Sequence, residues 1–158
     1  VGISDYLGRA VGFKLTHQLS HETKKPEGYK NFGTYCRFIN DELGRFVSKL
    51  KATPEPGGDG NMLDNTAVLF GSASSAFHLS RNYPLMLFGG GNLGFNHGHY
   101  RRYNTSNQAT SGIANDSGWR AEMGGTELPL SNLYLTMLHK LGVETDSFGG
   151  STEPLSGV

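Results

Sequence analysis

Apolar residues recur at three- and four-residue steps after Pro26: Tyr29, Phe32, Cys36, Ile39, Leu43, Phe46, Val47 and Leu50 fall on one side of a helical wheel. This spacing predicts an amphipathic helix over residues 29–52, with Cys36 on its packed side as a small core thiol. Pro54-Glu-Pro-Gly-Gly-Asp-Gly-Asn follows, a cluster whose prolines and glycines cannot continue a helix. Residues 1–25 lack a steady period and read as loop around a short element.

Two short unalternating runs come next, Ala67-Val-Leu-Phe-Gly and Leu85-Met-Leu-Phe-Gly, each bounded by turn residues. Such runs suit buried strands, and their position between two helical segments predicts an α/β layer with strands covered by helices. The last helix is expected to start at a Ser131 cap, to pack through Leu130, Leu133, Tyr134, Met137, Leu138 and Leu141, and to stop at Gly142. Before it lies a polar stretch, residues 104–127, holding the single tryptophan, Trp119. It is longer than ordinary connections, so an ordered, functional or surface-packed excursion is expected there.

Composition narrows the field. With 158 residues the chain is long enough for one domain with a core, and two domains are not expected. Only 36% of it is apolar and 23 residues are glycine, which makes it loop-rich. Fourteen basic residues balance 14 acidic ones, leaving no net field to draw in nucleic acid or an anionic membrane surface. No apolar run is long enough for a transmembrane segment. A single cysteine excludes an internal disulfide and a multi-cysteine zinc site.

The wording of the final helix and tail, Pro129-Leu-Ser-Asn-Leu-Tyr-Leu-Thr-Met-Leu-His-Lys-Leu-Gly-Val and then Phe148-Gly-Gly-Ser-Thr-Glu-Pro-Leu, resembles the bacterial family known as domain of unknown function 1552. Members of that family end in stretches such as PLSNLYLSMLDRLGV followed by FGDSTGPL. The family is similar to the alkaline-phosphatase and sulfatase superfamily, which implies that the chain is the C-terminal portion of an alkaline-phosphatase-like layered fold. Val1-Gly-Ile-Ser-Asp resembles a mid-sequence segment of the family, so the chain is expected to match the C-terminal third of a member, as a single domain or a fragment of a larger one. The resemblance also implies export, to the periplasm or the cell exterior. The usual route from the glycine-rich strand end to the last helix is much shorter in the family, which makes 104–127 an insertion.

Asp64-Asn-Thr-Ala-Val-Leu-Phe-Gly-Ser-Ala-Ser-Ser resembles the superfamily motif in which a strand delivers an Asp-His pair to a metal ion. Here that pair reads Ala73-Ser74, and neither side chain replaces a carboxylate or an imidazole as ligand. In place of the family's DGNRHNHDDLP stretch stands Ala76-Phe-His-Leu-Ser-Arg-Asn-Tyr-Pro, so His78 keeps one histidine position while Ser80, Arg81 and Asn82 replace other polar ones. The upstream LSHHG stretch reads Leu19-Ser-His-Glu-Thr, with Glu22 at the second histidine position. The resemblance thus marks His21, Glu22 and His78 as candidate metal ligands. His17, four residues before His21, shares a helix face with it if the segment is helical, and zinc-type ligation by the pair competes with loop histidines bonding backbone.

Other candidates carry weaker signals. His97-Gly-His99 puts two rings on one side of an extended segment, with glycine permitting close approach. Gly89-Gly-Gly-Asn-Leu-Gly lacks the Walker lysine and reads as a close-packed turn rather than a phosphate cradle. Arg101-Arg102 suits an anionic substrate or a surface carboxylate. Ser72-Ala-Ser-Ser is not a nucleophile elbow, and the resemblance implies that the superfamily's nucleophile would lie upstream of these residues. His139 is assigned no role.

Three readings follow. The first is a degenerate, non-catalytic member of the fold with a structural or binding role and no expected cofactor. The second is a metal-dependent hydrolase of phosphate or sulfate esters, using a divalent metal such as zinc on His17, His21, Glu22 and His78. The third is an assembly subunit, meeting a protein partner or a second copy of itself through 104–127, with Trp119 as anchor.

Overall fold

The computed structural model describes residues 16–72, 84–101, 103 and 128–158. Ala73-Ser74, His78, Ser80, Arg81, Asn82, Arg102 and the whole of 104–127 with Trp119 lie outside the described residues. The chain is of mixed α/β type and divides into two compact units, Val1–Thr53 and Pro54–Val158.

In the first unit a short helix, α1 (Thr16–His21), runs into one 3-10 turn (Glu22–Lys24) and then into α2 (Gly28–Ala52). The turn and the long helix meet so tightly that only glycine fits at the junction. A Cβ on Gly28 would lie 1.9 Å from the backbone oxygen of Glu22. Glu27, just before it, takes a left-handed backbone with φ 62°, uncommon outside glycine. The α2 apolar stripe falls where its periodicity predicts, but it is not a buried core. Phe32, Cys36, Ile39, Leu43, Val47 and Leu50 are half-buried, while Tyr29 and Phe46 are 59% and 50% exposed. Cys36 is therefore part of a half-covered seam rather than an interior thiol.

In the second unit the turn cluster closes through a bridge between Pro54 and Asn61, with Glu55 N–H donating to Gly60 O at 3.2 Å. A 3-10 turn, Met62–Asn65, follows and delivers the chain to β1 (Ala67–Gly71), which pairs antiparallel with β2 (Leu85–Gly89). The register sets Ala67 opposite Gly89, Leu69 opposite Leu87 and Gly71 opposite Leu85. Both strands stand where the apolar runs predict. Their residues are half-buried except for Gly71, which is exposed, and Met86, which is 43% exposed, so full covering is not what these five-residue strands receive.

The β2 end turns sharply through Gly89 and Gly90, at φ 72° and 70°. A side chain at Gly89 would meet Thr66 O at 2.2 Å, and one at Gly90 would meet the buried Phe95 ring at 2.5 Å. The turn is thus close-packed, as expected of that glycine cluster.

The last helix, α3 (Leu130–Lys140), corrects two expectations. Pro129, not Ser131, occupies the N-cap position, and no side chain caps the helix. Its buried residues are Asn132, Leu135 and Thr136, whereas Tyr134 and Leu141 are 39% and 53% exposed. Leu130, Leu133, Met137 and Leu138 are half-buried, and the best-buried side is offset from them toward Asn132 and Thr136, which meet hydroxyl and amide partners on the returning tail. The stop at Gly142 is as expected: with φ 77° it lets Val143 N–H reach Leu138 O at 2.9 Å and its own N–H reach His139 O at 3.0 Å, the paired bonds of a Schellman cap. Among the described residues, no helix is long and apolar enough to cross a membrane.

Candidate metal centre and its surroundings

The segment carrying His17 and His21 is helical, so one turn of α1 brings the two side chains together. Their Nε2 atoms lie 2.9 Å apart and their rings meet edge to face with centroids 4.7 Å apart. At that separation one ring donates N–H and the other accepts, so a proton sits on one Nε2 and not on the other. Both are exposed. Glu22 continues the helix into the 3-10 turn, but its carboxylate is engaged: Oε1 accepts from Lys25 Nζ at 2.9 Å and from Gln18 Nε2 at 2.8 Å. The bonds from Lys25 and Gln18 hold its carboxyl below the usual carboxylate range. Among the described residues, no group of three or more His, Cys, Asp or Glu side chains converges on a common point. The structure therefore joins His17 to His21 and turns Glu22 toward a lysine.

The remaining candidates are drawn into backbone chemistry. His97 and His99 do not share a strand face: Gly98 between them bends the chain at φ 82°, and His97 Nε2–H donates to Gly89 O at 2.6 Å. His139 Nε2–H, in the last turn of α3, donates to Thr145 O at 2.7 Å. Among the described residues Arg101 pairs with no carboxylate; its Nη2 donates to Gly157 O at 2.6 Å. Two of the glycine-loop amides bond backbone carbonyls, Gly90 N–H to Leu63 O at 2.8 Å and Leu93 N–H to Gly90 O at 3.0 Å. Cys36 has a thiol pushed up by burial, the direction opposite to that of a reactive thiolate.

Sequence reasoning missed the most ordered polar cluster. Asn132, fully buried, donates from Nδ2 to Thr152 Oγ1 at 3.1 Å and accepts Thr152 N–H on Oδ1 at 2.9 Å. One turn on, Thr136 Oγ1 donates to Asn132 O at 2.8 Å and accepts Leu155 N–H at 2.7 Å. Asn and Thr at a four-residue step inside an otherwise apolar helix are the signal that reveals this cluster, because buried polar groups need partners. Asp64, first residue of the Asp-Asn-Thr stretch, is similarly occupied: its carboxylate accepts Asn61 N–H at 3.0 Å while Asn61 Oδ1 accepts Leu63 N–H at 3.1 Å, a capping box around the 3-10 turn.

No family model matches this chain, and neither curated proteins nor solved structures give a match.

Proposed function

We propose that this chain is the C-terminal part of an alkaline-phosphatase-like layered domain from an exported bacterial protein, non-catalytic and serving a structural or binding role. The observation that carries the reading is the use made of its motif residues. Asp64 is spent on capping a turn, and Asn132 and Thr136 on holding the tail, so the polar groups of both segments that bear the resemblance work for the fold. Ala73-Ser74 standing where a metal-binding Asp-His pair is expected points the same way. These residues do not fit the superfamily's strand-end metal ion. The binding surface in this reading is the 104–127 insertion, anchored by Trp119 against a protein partner or a second copy, outside the cell membrane.

A second reading, a metal-dependent phosphate or sulfate ester hydrolase, is favoured by the meeting of His17 and His21 at 2.9 Å. The test separates the two. Natively purified full-length protein is assayed on p-nitrophenyl phosphate and p-nitrophenyl sulfate with zinc, magnesium, manganese or calcium supplied. The expected result is no turnover above buffer. Turnover that His21→Ala abolishes overturns the non-catalytic reading.

A further inference from the structure

We propose that His17 and His21 form a two-point chelate for a divalent transition metal of the copper, nickel and zinc class, distinct from the strand-end chemistry of the Ala73-Ser74 position. The geometry is that of a clamp across one helical turn. Two imidazole nitrogens face each other at 2.9 Å from the first and last turns' side of the six-residue helix α1. With metal–nitrogen bonds of ~2.0–2.1 Å in a tetrahedral sphere, two ligating nitrogens stand about 3.3 Å apart, so a small opening of the rings admits an ion in place of the shared proton.

Chemistry selects the ion. Neutral imidazoles suit copper, nickel and zinc, with copper bound most tightly, whereas calcium and magnesium want oxygen donors. Both rings are exposed, so an ion enters without opening a core. Glu22 is not a third ligand in this clamp, because its carboxylate is held by Lys25 and Gln18. The consequence is mechanical. A helix this short is marginal by itself, and a metal tie between residues four apart adds its binding free energy to the helical state.

The proposal does not rest on the non-catalytic reading, since its test follows the metal alone and turns over no ester. The full chain, stripped with a chelator, is titrated calorimetrically with copper, nickel and zinc chlorides, and the copper form is examined by electron paramagnetic resonance. The expected results are one saturable class, tightest for copper, with nitrogen splittings from two imidazoles in the unmutated protein. His17→Gln and His21→Gln each weaken binding by about tenfold or more, and Glu22→Gln changes it by less than about twofold. Absence of saturable binding, binding that survives both histidine variants, or a loss in Glu22→Gln equal to theirs overturns the two-point clamp. The copper spectrum of the unmutated chain keeps the test decisive even where a variant loses helix.

Discussion

The two longer helices teach opposite lessons. α2 has 25 residues and a regular apolar stripe, yet its only buried residue is Gly28, at the first turn. α3 has 11 residues and a less regular stripe, yet it buries Asn132, Leu135 and Thr136 and is tied along its length to the tail. Length and periodicity made α2 the easier helix to foresee. Partners make α3 the better-held one, since in proteins most helix stability comes from packing rather than from propensity.

That contrast breaks most readily at Leu135, 1% exposed at the centre of the α3 contact. Leu135→Ala is expected to cost about 3 kcal/mol through lost burial and the cavity left behind, read from the denaturant midpoint of the full chain. Asn132→Ala follows at about 2–3 kcal/mol, because it strands the Thr152 amide and hydroxyl that the amide side chain now satisfies. A cost below about 0.5 kcal/mol for both would place α3 in the class of surface helices.

Gly28, the buried residue of α2, sharpens the comparison. Gly28→Ala drives a methyl into the Glu22 carbonyl, and about 2 kcal/mol is expected from the forced shift. Phe46→Ala, about three quarters of the way along the same helix and 50% exposed, should by contrast stay within about 1 kcal/mol. Equal losses at both positions in parallel melts would show that α2 is held along its length.

The smallest effect is at the α1 end. Because Lys25 and Gln18 depress the Glu22 carboxyl, the ionised form is the one the fold favours. Its contribution is full above the ordinary carboxylate range and fades as pH falls through the depressed value. Helical circular dichroism of the unmutated chain should therefore slip slightly more in acid than that of Glu22→Gln. Identical acid profiles would remove Glu22 from the account.

Much of this was legible in the chain. The period of α2, the two apolar runs of the sheet, the Gly142 stop and the close-packed Gly89-Gly90 turn are local patterns, and local patterns survive folding. The helical approach of His17 to His21 was legible as a four-residue step. The covered side of α3 was not, because burial there is decided by a tail some 20 residues away that offers hydrogen-bond partners, making Asn132 and Thr136 interior while Tyr134 and Leu141 face outward. The engagement of Glu22 was not legible for a related reason: the sequence shows a carboxylate beside His21 but not the lysine three residues on that it bonds. Cys36 fell short of the core because periodicity tells which side of a helix is apolar and not how deeply that side is covered.

The central claim is that the polar residues of the α3 and tail segment are spent on holding the fold. Amide hydrogen exchange at Thr152 and Leu155 tests it most directly, in the unmutated chain and in Asn132→Ala. The account predicts slow exchange at both amides in the former, and at Thr152 a rise in the variant to the rate of its exposed neighbours. Fast exchange at both amides in the unmutated chain would contradict it, leaving Asn132 and Thr136 available for a role other than structure.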